Sequence, residues 1–253
     1  MNIYETDRLL AEYLLFHYGE DAEVLPWPAG PVNALRYPVR CVTECFDLLG
    51  LPPQARALDL GCAVGRSSFE LARSCFEVIG VDYSQRFIAA AQQLRDEGEI
   101  PYLRCEEGDL SAPLIARVPA GIDCQRVYFE RGDAMNLRED LGAFDAVLLA
   151  NLIDRLRDPR RCLARLPSLV KPGGQLVIAS PYTWIEEFTP RENWIGGAEP
   201  NGRPVATREA LQSFLAPAFD LVAVKDLPFL IREHRRKFQW SVAEATIWRR
   251  RVS

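Results

Sequence analysis

Apolar and polar positions alternate along this chain in two different rhythms, and the change of rhythm divides it. From residue 55 onward, short apolar runs alternate with amphipathic stretches, the pattern of strand–helix units on a parallel sheet. Ala55–Leu60 reads as a first strand, and Ser67–Ser74 as the helix after a glycine turn. Glu77–Asp82 reads as a second strand, followed by a helix over Gln85–Arg95. Gln125–Glu130 is a third, ending at Gly132-Asp133. Phe144–Ala150 is almost purely apolar, as suits a fourth strand buried on both faces. A helix over Pro159–Val170 stops at Lys171-Pro172-Gly173-Gly174, and Gln175–Ser180 is the fifth strand.

The rhythm then changes. Thr207–Leu215 reads as a helix with Thr207 as its cap, half formed because Ala210 stands where a capping box wants Glu or Gln. Phe219–Leu230 and Phe238–Trp248 are extended runs able to close the sheet as an antiparallel hairpin. Three segments fall outside this scheme: 1–54, rich in aromatics and prolines, an insertion at 97–124, and a loop at 181–206 carrying Trp184 and Trp194. Loops of this length in a compact domain are usually functional. The expectation is one domain over 1–253, with 1–54 as substrate cover, 55–180 as the ligand-binding core, 181–206 as a lid and 207–253 as helix and hairpin.

Composition is that of an ordinary globule, with 48% hydrophobic and 26% charged residues, and no apolar run is long enough to span a bilayer. The net charge of −5 argues against a broad grip on nucleic acid. Seven scattered cysteines and only two histidines offer no metal-ligand cluster, so no metal is expected. The start lacks a basic flank and an apolar signal core, so a cytoplasmic location with reduced thiols is expected.

Ligands of open α/β sheets bind outside the carboxyl ends of the strands, and four of those ends here carry glycine or polar residues. Gly61 and Gly65, with Ala63 between them, follow the first strand; Asp82 ends the second, Asp133 the third, and Asn151 follows the fourth. Asp82 or Asp133 alone would serve equally well as a helix cap. The four together point to a nucleoside-type ligand. A nicotinamide site wants G-x-G-x-x-G, but Gly61, Ala63 and Arg66 occupy those positions, and no phosphate-binding P-loop is present.

The turn Asp59-Leu60-Gly61-Cys62-Ala63-Val64-Gly65 instead resembles that of class I S-adenosylmethionine-dependent methyltransferases. The resemblance implies a Rossmann-like, seven-stranded α/β sheet with helices on both faces, plus an N-terminal helical cover and insertions. It implies that Asp59 and the turn Gly61, Cys62, Ala63 and Gly65 face the methionine moiety, and that Asp82 holds the ribose hydroxyls. Tyr83 and Ser84 lie at the adenine, Asp133 accepts from its amino group, Ala134 sits beside the ring, and Asn151 and Leu152 approach the methionine amine.

Further blocks look more specific: Tyr4–Leu9, Glu12–Gly19, Asn151–Leu156, Pro181–Trp184 and Arg236–Val242. They resemble the thiohistidine N-methyltransferases of ovothiol biosynthesis. That resemblance implies methylation of 5-thiohistidine at Nπ, releasing S-adenosylhomocysteine, in concert with a sulfoxide synthase that is either a separate chain or an adjoining domain. Asn151, Asp154, Tyr37 or His17 is expected to orient the ring, and Arg36, Arg40, Arg155 or Lys237 to meet the α-carboxylate. Tyr4, Tyr182, Trp184 and Phe238 complete the expected substrate wall. His17 serves equally well as a core histidine, and Tyr13 and Phe16 as packing. Two other readings stay open: a methyltransferase for a different amine or thiol, and a nucleoside-binding domain without chemistry.

Overall fold

The computed structural model describes residues 5–199 and 202–252. Three helices come first: α1 (Asp7–Tyr18), α2 (Asp21–Val24) and α3 (Tyr37–Thr43). The strand–helix series follows: β1 (Arg56–Leu60), α4 (Arg66–Leu71), β2 (Glu77–Asp82), α5 (Gln85–Glu97), β3 (Glu99–Glu107), β4 (Leu110–Arg117), β5 (Val127–Arg131), β6 (Phe144–Ala150), α6 (Pro159–Leu169) and β7 (Val170–Ser180). The chain closes with α7 (Thr207–Leu215), β8 (Phe219–His234) and β9 (Lys237–Arg250).

Seven strands form one sheet in the order β5-β2-β1-β6-β7-β9-β8, parallel except where β9 pairs with β7 and β8. The order reverses beside β1, so the crevice at the carboxyl ends of β1 and β6 is the expected ligand position. Alternation along the central strands divides the core. Ala57, Ala146 and Leu148 face a core shared with α1, α3, α4 and α5. Leu58, Leu60, Val147 and Leu149 face a second core covered by α6 and α7. The seven-stranded sheet with helices on both faces is therefore present. Among the described residues no helix is long and apolar enough to cross a membrane.

The structure differs from the sequence reading at four places. Residues 97–124 are not a loop: β3 and β4 pair as a separate antiparallel hairpin, burying Ile100, Tyr102 and Ala116 against the first core. β7 begins at Val170, because Lys171–Gly174 bulges between the β6 pairings of Val170 and Gln175. Thr207 is not the cap of α7; Ala206 holds that position, and the Thr207 hydroxyl accepts instead from the Trp184 indole N–H at 3.0 Å. Among the described residues of 181–206, Trp184 packs on the second core and stacks on Trp194, and none lines the crevice.

Candidate active site

Above the carboxyl ends of β1, β2, β5 and β6 lies a cavity of about 400 Å³, within the size range of small-molecule sites. Its floor is built from the turns that end those strands. After β1 the backbone is left-handed at Gly61 (φ 79°), Ala63 (φ 48°) and Gly65 (φ 86°), which tilts the turn against the start of α4. The N–H groups of Gly61 and Cys62 both donate to the Val81 carbonyl, at 2.8 and 3.1 Å. Asp82 finishes the arrangement: Oδ2 accepts from the Ala63 N–H at 2.9 Å and Oδ1 from the Ser84 N–H at 2.8 Å. Burial pushes the Asp82 pKa up, and those two amides counter it. A carboxylate keeps further lone pairs after two bonds, so Asp82 can still accept from a ligand hydroxyl pair.

Around this floor stand the other strand-end residues. Asp133, Ala134, Tyr83 and Ser84 line one end, with Asp133 Oδ1 accepting from the Met135 N–H at 2.9 Å. Tyr83 is 60% exposed and lies beneath the Arg131 guanidinium. Asn151 and Leu152 line the middle. Asn151 holds a left-handed backbone (φ 52°), fixed by its N–H to the Ala179 carbonyl at 2.7 Å, and its Oδ1 accepts from the Tyr37 hydroxyl at 2.9 Å. Tyr37 is buried and tilted against Phe229, so the phenol is a fixed donor.

The wall over the crevice comes from α1 and α3: Tyr13, Phe16, His17, Tyr37 and Pro38. Tyr13 and Phe16 thus face the cavity as well as packing. His17 stacks on Tyr13, and its Nδ1 is shut from solvent with no hydrogen-bond partner. Burial, assisted by the charge of Arg66, pushes its pKa down to about 3.

That depression makes a stability prediction. The unfolded chain's histidine takes up a proton below its ordinary pKa near 6.5, whereas folded His17 stays neutral until about pH 3. The unfolded state therefore binds more protons across that window, and stability falls as pH falls. Asp59, pushed up to about 6 by burial, acts in the opposite direction. Comparison with His17→Phe isolates the histidine: the melting temperature of the wild type relative to this variant should drop steadily from pH 7 to pH 4. A constant difference would mean that His17 is not held neutral.

Several expected site residues lie elsewhere. Asp59 is buried behind the turn, its Oδ2 accepting from the Ser67 and Ser68 hydroxyls at 2.8 and 2.6 Å, so it anchors α4 rather than facing the cavity. Cys62 and Gly65 are buried beneath the turn and shape it without lining the cavity. Asp154 is buried off the wall, where it accepts from the Thr183 N–H at 2.9 Å. Arg36 is spent on Asp21 at the surface, and Lys237 on Glu233. Arg40 binds Glu44 and the carbonyls of Asn33 and Pro228. Tyr182 donates to Glu244, and Trp184 and Phe238 pack into the cores. Tyr4 lies outside the described residues.

Arg155 does reach the wall, though it also donates to the Thr183 carbonyl and lies over Phe188. The sequence reading passed over Ser67, Phe87, Met135, Arg157 and Ile231 on the lining. Arg157 carried a signal, since it stands two residues after Arg155. No local pattern marks Phe87 or Ile231.

Residues 58–178 match the family model of a methyltransferase domain. A ubiquinone biosynthesis O-methyltransferase of Xanthomonas oryzae pv. oryzae is 27% identical over 157 residues, covering 60% of this chain and 53% of that protein. A demethylmenaquinone methyltransferase of Clavibacter sepedonicus is 31% identical over 123 residues, covering 49% and 40%. The chain thus spans about half the length of the curated relatives it matches. Among solved structures, the cyclase SpnF aligns with a TM-score of 0.58 at 18% identity, covering 99% of this chain and 95% of that one. The N-methyltransferase NodS of Bradyrhizobium japonicum, in complex with S-adenosyl-L-homocysteine, aligns at 0.52 and 16% identity, covering 95% and 98%. At such identities these two likenesses concern the fold alone. The chain's own residues fit S-adenosylmethionine on independent grounds. A Cβ on Gly61 would lie 3.0 Å from the Leu152 side chain, so the backbone there meets the cavity lining directly, and the half-buried Asp82 carboxylate retains acceptor capacity toward the cavity.

Proposed function

We propose, from the premise that this chain belongs to the class I S-adenosylmethionine-dependent methyltransferase superfamily, that it methylates the imidazole Nπ of 5-thiohistidine to give ovothiol A. One observation carries the acceptor. Two blocks that resemble the thiohistidine methyltransferases and are not required by the cofactor fold, Glu12–Gly19 and Asn151–Leu156, meet at the same cavity. They bring an aromatic wall and Asn151 to it, and Tyr37 of α3 donates to that Asn151 side chain. The roles below belong to the same proposal, as does the treatment of residues 1–253 as one unit.

Asp82 takes the ribose hydroxyls, Asp133 and the Ala134 N–H read the adenine, and the Gly61–Ala63 backbone cradles the amino-acid end. Bound S-adenosylmethionine supplies a methyl group already activated by its cationic sulfur. The chain's own residues then have mainly to position the nucleophile. Asn151, held by Tyr37, orients the acceptor ring. Arg155 and Arg157 bring guanidiniums to the wall for its carboxylate, and Arg157 has no ion-pair or side-chain hydrogen-bond partner among the described residues.

A nitrogen acceptor asks less of the lining than an oxygen acceptor, because a phenol must lose a proton on methylation. A neutral imidazole already offers a lone pair. The synthase that thiolates histidine would then supply this chain's substrate.

Incubation with S-adenosylmethionine and, separately, 5-thiohistidine, histidine or a catechol should yield S-adenosylhomocysteine only with the first, together with a singly methylated product. Turnover of the catechol, or S-adenosylhomocysteine binding without turnover of 5-thiohistidine, would remove the acceptor assignment.

A further inference from the structure

Asn151 stands on the cavity lining with its side-chain amide held in one orientation. Its left-handed backbone (φ 52°) is fixed by the bond from its N–H to the Ala179 carbonyl at 2.7 Å. The amide is fixed in turn from α3, where the Tyr37 hydroxyl donates to Oδ1 at 2.9 Å. Tyr37 is only 2% exposed and packs against Phe16 and Phe229, with ring centroids 6.0 and 4.9 Å away. The other group within hydrogen-bonding reach of its hydroxyl is the Cys41 thiol, a weak acceptor. Turning the amide over would set its NH2 against that O–H and leave a buried phenol without a strong acceptor, which is costly.

Tyr37 therefore sets the polarity of the amide as well as its place. Oδ1 is engaged, and the two N–H groups on Nδ2 have no partner among the described residues. What Asn151 has left for a ligand is a pair of donors.

Those donors need an acceptor atom, and the reaction restricts which atom it is. In a neutral imidazole one nitrogen carries hydrogen and the other a lone pair. The attacking nitrogen spends that lone pair on the methyl carbon as the carbon's bond to the cofactor sulfur breaks, so an N–H donated to it would block the attack. The other nitrogen bears hydrogen and has nothing to accept with. Neither ring nitrogen suits Asn151. The exocyclic sulfur of a thioimidazole does, because as thiolate or thione it keeps lone pairs throughout the transfer.

We propose that Asn151 Nδ2 donates to the sulfur of the acceptor, with Tyr37 as the positioning residue that holds the amide with its donors free. The inference rests on the thiohistidine reading and adds to it the contact by which this chain tells 5-thiohistidine from histidine. The carboxylate, common to both, is left to Arg155 and Arg157.

Calorimetric titration of the S-adenosylhomocysteine complex with 5-thiohistidine and with histidine is the test, and it reads the ratio of the two affinities. Both ligands share the amino-acid end, so the ratio isolates the ring substituent. The wild type should prefer 5-thiohistidine about tenfold, the gain expected of one hydrogen bond to a charged group. Asn151→Asp keeps the size of the side chain, still accepts from Tyr37 and tolerates the left-handed backbone, but it turns the free donor into an acceptor. It should abolish or reverse the preference. 5-Thiohistidine should weaken at least about tenfold, while histidine, whose ring N–H now finds an acceptor, should bind no less tightly than before. Tyr37→Phe frees the amide to turn, so its ratio should fall between the other two, and it decides the matter should Asn151→Asp not fold. Equal weakening of both ligands in either variant, or an unchanged ratio, overturns the assignment and leaves the pair a structural role. A wild type that methylates 5-thiohistidine without preferring it over histidine removes the sulfur contact but not the acceptor. If the wild-type complex binds no 5-thiohistidine, the acceptor reading itself falls and takes this one with it.

Discussion

Asp82→Ala should bind S-adenosylhomocysteine at least about a hundredfold more weakly than the wild type, the largest loss expected of any single change in the site. Two ribose hydroxyls donating to a carboxylate are charge-assisted bonds worth about 1.5–3 kcal/mol each, so their joint loss amounts to two to four orders of magnitude. The structure adds a second route to the same outcome. Asp82 also receives the Ala63 and Ser84 amides, and thus ties the turn after β1 to the start of α5. Removing it frees both amides and loosens the cavity floor. Asp82→Asn separates the two routes. Its single carbonyl oxygen can keep one backbone bond, so its melting temperature should lie nearer the wild type than that of Asp82→Ala, while its affinity stays low because the charge is gone. Asp133→Ala should be milder, since Asp133 holds only the Met135 amide and one expected adenine contact. Calorimetric titration beside thermal melts decides the matter. A folded Asp82→Ala that binds the ligand within a few-fold of wild type would dismiss Asp82 as the ribose residue.

The residues that line the cavity at the strand ends were legible in the sequence because they sit where apolar runs stop. Gly61, Asp82, Asp133 and Asn151 each end or follow a strand whose side chains are consumed by the two cores, so a polar or glycine residue there stands out. The β3–β4 hairpin was not legible for the opposite reason. Leu103 and Ile115 are exposed apolar residues on the face opposite Ile100 and Tyr102, and they blur the two-residue alternation that marks a strand. Among the cationic candidates the outcome depended on separation in sequence. Arg40 with Glu44, and Lys237 with Glu233, stand four residues apart and were open to reading as local pairs. Arg36 finds Asp21 only through the fold. Asp59 shows the same limit: a carboxylate at the right place in a motif, turned inward by two serines one turn into the next helix. Pattern identified the sheet and its ligand end. Which side chains remained unspent at that end was decided by partners distant in sequence.

Gly65→Ala should destabilise the fold by about 2–5 kcal/mol, a large fraction of the stability of an ordinary domain, even though the residue does not line the cavity. Two costs add. Gly65 has φ 86°, and a left-handed backbone costs an L-residue with a side chain about 1–2 kcal/mol. The new methyl would also lie 2.5 Å from Phe129 Cζ. Phe129 has little room to withdraw, because it packs edge-on against Phe69 at 5.4 Å and lies over Gly80, whose own Cβ would be 2.6 Å from the ring. Overpacking of this kind costs about 1–3 kcal/mol. Phe129→Leu in the Gly65→Ala background should recover the steric part and leave the backbone part, so the two changes together should be less harmful than their sum. Ala63 supplies the control within the same turn. It is also left-handed, at φ 48°, but already carries its Cβ, so Ala63→Gly should cost little or stabilise slightly. Chemical denaturation of the three variants and the double mutant measures each term. Equal destabilisation by Gly65→Ala and Ala63→Gly would show that the Phe129 contact does not govern the turn. The predicted difference would show instead that the shape of the cofactor turn is set from below, by a phenylalanine on β5 that the cofactor never meets.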